Sequence, residues 1–318
     1  MQQEASRKLG FNVSRTMQTA QKLYEAGHIT YMRTDSVTLS ETALNSIHST
    51  ISSKYGSEYS QRRSFSNKSR NAQQAHEAVR PTNFDVNISN LDSDQSNLYD
   101  LIWRRTLASQ MSDAKVDKTT VKIVSNNHDG FFQSVGEVIK FDGFLRLYRE
   151  SKDNQKNDDL ENTVLPNIFE GDIVEKENVL VTQFFTKPPF RFTEASLVKK
   201  LEELGIGRPS TYAPTITTVM NRKYVFKGLN NAQSRDIIEY TIDTEVNKTV
   251  KSEKYGSNKG KLVPSEVGLL VNEFLTNNFK NIIDYNFTAS VESEFDSIAN
   301  GSKDWKSIIH KFYDPFSS

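Results

Sequence analysis

Residues 185–216 read FTKPPFRFTEASLVKKLEELGIGRPSTYAPTI, and the part from Thr193 onward predicts two helices joined by a tight turn. Thr193 can cap the first helix, since a threonine hydroxyl accepts a hydrogen bond from a free N–H group of the first turn. The apolar side of this helix has leucines at spacings of four and three: Leu197, Leu201 and Leu204. Gly205 suits the end of the helix, because glycine adopts the left-handed conformation found there.

The turn after this helix is a candidate anion site. Ser210 or Thr211 can cap the next helix, which continues through Tyr212, and the N–H groups at a helix start attract negative charge. Arg208 lies beside them in the sequence and can bind a phosphate through two parallel hydrogen bonds. An ordinary helix–loop–helix turn has the same pattern, so the spacing alone leaves both interpretations open.

A second stretch, GHITYMRTDS at residues 27–36, combines a phenol with a guanidinium. On the short strand predicted from His28 to Met32, alternate residues point to one face, about 6.6 Å apart along the strand. Tyr31 and Arg33 would therefore lie side by side. This pair suits nucleophilic attack by the tyrosine on a phosphodiester, with the arginine stabilising the transition state. The two side chains could also simply pack and be solvated.

A third cluster, QAHEAVRPT at residues 74–82, contains His76 and Arg80, which together can bind a phosphate. A structural histidine is the alternative. Asp92 and Asp94 have a spacing that suits a metal site, but they precede a predicted helix, where acidic residues satisfy the helix dipole. We therefore predict no metal site in this chain. No phosphate-binding or dinucleotide-binding glycine motif and no HExxH motif occurs.

The composition excludes several kinds of protein. The 318 residues contain 40 basic and 40 acidic residues, so the overall charge gives no sign of a uniformly basic surface. No cysteine is present, which excludes disulfides, thiolate catalysis and cysteine-bound zinc. No apolar run is long enough to cross a bilayer. We expect a monomer in the cytoplasm, without a membrane partner.

The order of predicted elements indicates a multidomain α+β protein. Helices dominate residues 1–115, strands dominate residues 116–190, and helices return in residues 191–318. The helices are predicted to begin at Ser14, Ser40, Ser96, Thr193, Ser265, Thr288 and Asp304. The strands are predicted near residues 120–123, 131–148 and 172–184, with a strand pair between Tyr224 and Val263. Residues 60–74 and 252–261 are predicted to be basic loops.

With these motifs together, the chain resembles the type IA DNA topoisomerases, most of all the bacterial topoisomerase I group. The similar segments cover essentially the whole chain in order: YEAGHITYMRTDS (24–36), QQAHEAVRPT (73–82), residues 185–216 and FTASVESEFDSIANGSKDWKSIIHKFY (287–313). The resemblance implies a winged-helix-like tyrosine domain at 1–115, part of a β-rich arch at 116–190, and a helical domain that binds single-stranded DNA at 191–318.

The resemblance also implies roles for the candidate residues. Tyr31 would be the nucleophile that becomes linked to the 5′ phosphate of the cut strand, Arg33 would assist cleavage and rejoining, and His76 would contact a phosphate. The residues that would bind DNA are Arg80, Arg208, Ser210, Thr211 and Tyr212. The full enzyme would cut one strand, pass another through the gap and reseal it without ATP, relaxing negatively supercoiled DNA near the nucleoid.

Two departures from the family pattern limit these expectations. Nothing here matches the family's Toprim domain, which would hold the Mg²⁺ cofactor, or the first part of the arch. The N-terminal residues also read as the interior of a helix, so we expect a fragment that is inactive alone. An inactive module that binds single-stranded DNA is the alternative function. A tyrosine recombinase or an initiator nuclease is disfavoured. An initiator needs paired histidines and no His-x-His pair occurs here, and a recombinase needs several dispersed Arg and His residues around a late tyrosine.

Overall fold

The computed structural model describes residues 1–65, 77–85, 90–125, 128–150, 165–166 and 168–317. These residues form a mixed α/β structure, as the sequence predicts. The predicted loop at 60–74 lies partly outside the described residues, and His76 lies outside them entirely. No helix in the described part of the chain combines the length and the apolar character needed to cross a membrane.

The N-terminal region is helical, and local capping explains most of its helix ends. Its helices are α1 (Gln2–Leu9), α2 (Val13–Glu25), α3 (Glu41–Tyr55) and α4 (Ser93–Ser109). The side chain of Ser40 caps α3, as predicted. The predicted cap at Ser14 is wrong: Asn12 accepts the hydrogen bond from the N–H of Arg15, so α2 begins earlier. Asp92 caps α4 in a reciprocal pair with Gln95, which confirms the capping role of Asp92.

The segment that carries Tyr31 is not the predicted strand. Ile29 forms a single antiparallel bridge with Pro81. The N–H of Thr30 donates to the carbonyl of Arg80 at 2.9 Å, and beyond that the backbone is irregular. On the other side of the bridge, the N–H of Thr82 donates to the carbonyl of His28 at 3.0 Å.

The strands form three small antiparallel sheets. Strands β1 (Lys115–Ser125) and β2 (His128–Phe141) form one; β3 (Val179–Thr182), β5 (Gln233–Ile242) and β6 (Val246–Tyr255) form the second; β4 (Val225–Lys227) and β7 (Leu262–Pro264) form the third. The predicted strand pair between Tyr224 and Val263 is therefore four strands, and β6 occupies part of the predicted loop at 252–261. The second sheet takes strands from both sides of residue 190, so residues 191–318 are not purely helical.

The C-terminal helices mostly begin where capping residues predict. They are α5 (Glu194–Leu204), α6 (Tyr212–Asn221), α7 (Glu266–Asn278), α8 (Lys280–Ile283), α9 (Tyr285–Ala299) and α10 (Trp305–Ser317). Thr193 caps α5 and Ser265 caps α7, as predicted. The predicted start at Thr288 is wrong, because the Asp284 carboxylate accepts hydrogen bonds from the N–H groups of Asn286 and Phe287.

Helices α5 and α6 pack directly against α2. Val13 on α2 is buried in one apolar cluster with Val198 on α5 and with α6 residues including Ile216. The carboxylate of Glu194, which is buried, accepts a hydrogen bond of 2.9 Å from the N–H of Val13. This packing sets the distance between the Tyr31 segment and the turn that follows α5.

Candidate active site

A cleft of about 750 Å³ lies between α2 and α6. Tyr31 and Arg33 line one part of it, and Pro209 and Ser210 in the turn between α5 and α6 line another. The remaining lining residues come from α2 and α6: Ser14, Met17, Gln18, Gln21, Ala213, Pro214, Thr217 and Thr218. The structure thus brings together three of the predicted site residues from two distant parts of the sequence.

The core on either side of Tyr31 holds this residue in place. Ile29 and Met32 are buried, and the half-buried Tyr31 ring packs against the same apolar cluster. The edge of the Tyr24 ring contacts the Tyr31 ring, with centroids 5.2 Å apart. Arg33 is exposed, so its guanidinium is accessible from the cleft. A phenol on a packed segment that shares a cleft with an accessible guanidinium can attack a phosphorus atom while the cation stabilises the developing charge.

Arg80 has a protein partner in this structure and does not line the cleft. Its guanidinium binds both carboxylate oxygens of Glu77, at 2.7 and 2.9 Å, and donates to the carbonyl of Pro81. Burial raises the pKa of Glu77, but hydrogen bonds from Arg80 and from the N–H of Ser40 outweigh it, so this pKa lies below its ordinary value. Arg80 therefore braces the segment that pairs with Thr30, and its contact with DNA stays a prediction.

Arg208 points to α9 rather than into the cleft. Its guanidinium donates to the Asp296 carboxylate at 2.8 Å and to the Gly207 carbonyl at 2.9 Å, and it lies 3.2 Å from a Glu292 oxygen. The side chain is only 17% exposed. To contact a phosphate, Arg208 would have to give up its bonds to these carboxylates. The contact between Arg208 and DNA therefore also stays a prediction.

Thr211 and Tyr212 build the turn. The Thr211 hydroxyl accepts from the N–H of Arg208 at 2.9 Å, and the N–H groups of Thr211 and Tyr212 both donate to the Arg208 carbonyl. These two N–H groups are therefore used within the turn instead of being free for an anion. Tyr212 is buried, and burial raises its pKa to about 12. Of the predicted residues in this turn, Ser210 alone lines the cleft.

The polar face of α2 is a part of the site that the sequence analysis missed. Ser14, Gln18 and Gln21 follow one another at spacings of four and three, so they share one side of the helix. The buried residues Ala20 and Leu23 mark its opposite, core-facing side. This period was visible in the sequence, but only the position of α6 makes the polar face a wall of the cleft.

The described residues do not fit a metal ion. Nowhere in the described ranges do three His, Asp or Glu side chains come together in an arrangement that could bind one.

Comparison with known proteins agrees with the motifs. A sequence model of the DNA topoisomerase family matches residues 1–237 and 239–310. The chain is 43% identical to "DNA topoisomerase 1 type prokaryotic" of Acanthamoeba polyphaga mimivirus, over 99% of this chain and 39% of that protein. It is 44% identical to DNA topoisomerase 1 of Streptomyces coelicolor, over 98% of this chain and 31% of that protein.

A solved structure, that of full-length topoisomerase I from Thermotoga maritima, has the same fold over almost the whole chain. The TM-score is 0.77 at 33% sequence identity, and the match covers 99% of this chain and 48% of that one. This chain thus spans less than half the length of the relatives to which it is similar. The resemblance seen in the motifs is confirmed: the chain belongs to the type IA DNA topoisomerase family.

Proposed function

We propose that this chain is the strand-cutting part of an ATP-independent type IA topoisomerase, which cuts one DNA strand, passes another through the gap and reseals it. The observation that supports this proposal is the cleft, where Tyr31 and Arg33 face the turn at Ser210. A tyrosine and an accessible arginine beside a polar groove are the groups that a phosphotyrosine mechanism requires.

In the proposed reaction the Tyr31 oxygen attacks a backbone phosphorus, and the bond from phosphorus to the 3′ oxygen breaks. The phenol loses its proton and the released 3′ oxygen gains one, so the strand on the 3′ side of the cut is joined to Tyr31 through its 5′ phosphate. The guanidinium of Arg33 stabilises the charge on the phosphate oxygens. One phosphodiester replaces another, so resealing by the reverse reaction requires no ATP.

The single-stranded substrate is proposed to lie in the cleft between α2 and α6. Apart from Arg33, the polar lining side chains are neutral: Ser14, Gln18, Gln21, Ser210, Thr217 and Thr218. Hydroxyls and amides can donate to phosphates and to base edges, while the single cation marks where the scissile phosphate would bind.

His76 is proposed to contact a neighbouring phosphate. The tyrosine domain is proposed at 1–115, part of the arch at 116–190 and the DNA-groove domain at 191–318, in a monomer.

Mass spectrometry of a trapped adduct tests this proposal. Because the relatives are more than twice as long as this chain, the cleavage assay uses a polypeptide extended to their length, with Mg²⁺ present. We expect an oligonucleotide joined through its 5′ phosphate to Tyr31. Tyr31→Phe removes a single oxygen and should abolish the adduct while leaving DNA binding unchanged. Arg33→Lys keeps the charge but loses the planar fork, so it should slow cleavage without abolishing it.

Tyr24→Phe is the matched control, because Tyr24 contacts the Tyr31 ring but does not line the cleft. This variant should cleave at the wild-type rate. An adduct on any other residue, or cleavage by the Tyr31→Phe enzyme, would refute the assignment. Binding of single-stranded DNA without any adduct would instead support an inactive binding module.

A further inference from the structure

The turn that lines the cleft is tied to α9 by one arginine. Arg208 contacts Glu292 and Asp296, which lie four residues apart and therefore on the same side of α9. The neighbouring residues Pro209 and Ser210 line the cleft. Arg208 thus directly precedes the part of the turn that shares the cleft with Tyr31.

Helix α9 presents both polar and apolar side chains to its neighbours, and its contacts with Arg208 are polar. No side chain of α9 is buried. Near the turn, Ala289 lies beneath Gly205, where an added Cβ atom would be 3.7 Å from the alanine methyl group. Ala289, Glu292 and Asp296 thus form one stripe of α9 that faces the end of α5 and the turn. The carboxylates of Glu292 and Asp296 each contact a different nitrogen of the Arg208 guanidinium.

The local charge disfavours a direct contact between Arg208 and a phosphate. One guanidinium is surrounded by two carboxylates, which leaves a net negative charge at this corner of the turn. A phosphate that approached Arg208 would have to displace Asp296 or Glu292 and would be repelled by both. Arg33, by contrast, is exposed and lines the cleft.

We propose that Arg208 is a positioning residue, which uses Glu292 and Asp296 as anchors to hold the Pro209–Ser210 wall at the distance from Tyr31 that a single strand requires. This inference rests on the proposed function of the cleft, and it assigns the α9 carboxylates a role in strand binding. It predicts that removing negative charge at these two positions weakens the binding of DNA, which is opposite to the simple electrostatic expectation.

The first experiment measures the affinity of the chain for a fluorescent single-stranded oligonucleotide by anisotropy. We expect the double variant Glu292→Gln, Asp296→Asn to bind about three- to tenfold more weakly than wild type, since a partly buried ion pair contributes on this order. Glu294→Gln is the matched control: it is also an α9 carboxylate, but its partners are Lys303 and Lys311. The control should bind as well as wild type or slightly better. Tighter binding by the double variant would overturn the proposal.

The salt dependence separates positioning from phosphate contact. Affinity for DNA falls as the salt concentration rises. Losing one phosphate contact makes the plot of log affinity against log salt shallower by about 0.7 for a single strand. Arg208→Ala should therefore weaken binding with an unchanged slope, whereas Arg33→Ala should reduce the slope by about that amount. Arg208→Lys should behave like Arg208→Ala, because an ammonium group does not provide the planar fork that spans two carboxylates. A reduced slope for Arg208→Ala would show a phosphate contact and refute the proposal.

A third experiment needs no DNA and so remains decisive if the proposed function fails. The chain has no cysteine, so Gln18→Cys and Ser210→Cys provide two unique sites for spin labels across the cleft. The distribution of distances between the labels should broaden when Glu292→Gln and Asp296→Asn are added, and should not change with Glu294→Gln. An unchanged distribution would refute positioning by α9. If the wild-type chain does not bind DNA but the distance distribution broadens in the double variant, the proposed function is refuted and the positioning role of α9 is retained.

Discussion

Glu194→Ala should weaken the contact between α2 and α5 that adjoins the cleft. The Glu194 carboxylate is 8% exposed, and its two oxygens have different partners. One accepts from the N–H of Val13 at 2.9 Å, and the other lies 2.8 Å from the ammonium group of Lys227. Val13 is itself buried, so its N–H loses its acceptor when the carboxylate is removed.

The size of the effect follows from these two contacts. A hydrogen bond from a buried N–H to a charged acceptor contributes about 1.5–3 kcal/mol, and the donor is left unpaired in the alanine variant. Lys227 is 43% exposed, so its ion pair contributes only about 0.5 kcal/mol. We therefore expect a loss of about 2–3 kcal/mol in the free energy of unfolding. Glu194→Gln keeps an acceptor oxygen and should lose about 1 kcal/mol.

Urea unfolding, monitored by circular dichroism, measures this loss of stability. Fluorescence anisotropy with a single-stranded oligonucleotide measures the affinity of the cleft for DNA. Glu203→Ala is the matched control on α5, since Glu203 is exposed and its partners Lys199 and Lys200 are 3.9 and 3.8 Å away. It should change stability by less than about 0.5 kcal/mol. If Glu194→Ala unfolds at the same urea concentration as this control, the hydrogen bond to Val13 does not hold the two helices together.

Two further predictions concern the backbone and the pH dependence. Gly143 has a φ of 48°, and an added Cβ would lie 2.5 Å from the carbonyl oxygen of Ser112, so Gly143→Ala should destabilise by about 2–4 kcal/mol in urea unfolding. Gly301→Ala, at a φ of 70° with open space around it, should lose only about 1 kcal/mol, and equal losses would refute the clash. The pKa of Glu77 is lowered in the folded protein, so the stability that Glu77 contributes is present above its ordinary pKa of 4.5 and is lost as the pH falls through the lower folded value. Glu77→Gln should remove this part of the acid dependence measured by unfolding at a series of pH values, and an unchanged dependence would count against the pairing with Arg80.

Many helix ends were predictable because capping is a local interaction. Ser40, Thr193 and Ser265 each bond to an N–H group three residues later, and sequence distance alone determines that contact. Gly205 ends α5 in the left-handed conformation, which its lack of a side chain permits. The pairing of a tyrosine and an arginine near residue 31 was equally visible as a motif.

The wrongly predicted helix starts lie where two nearby residues could both cap the helix, and tertiary packing decided which of them does so. Asn12 caps α2 instead of Ser14, which places Val13 at the first helical position, buried against α5 and α6. Asp284 caps α9 instead of Thr288. Within the described residues, the predicted strand around Tyr31 pairs only with the short segment around Pro81, and strand pairing depends on the partner as much as on the strand itself.

The sequence by itself determined the helix caps, the apolar faces and the presence of a tyrosine beside an arginine, because these depend on neighbours in the chain. The tertiary structure alone decided that Tyr31, Arg33 and Ser210 share one cleft, and that the polar face of α2 is its wall. It also decided the partner of Arg208, whose hydrogen bond to Asp296 joins residues 88 positions apart. A guanidinium can form two parallel hydrogen bonds with a carboxylate or with a phosphate, so its partner depends on which anion lies within reach.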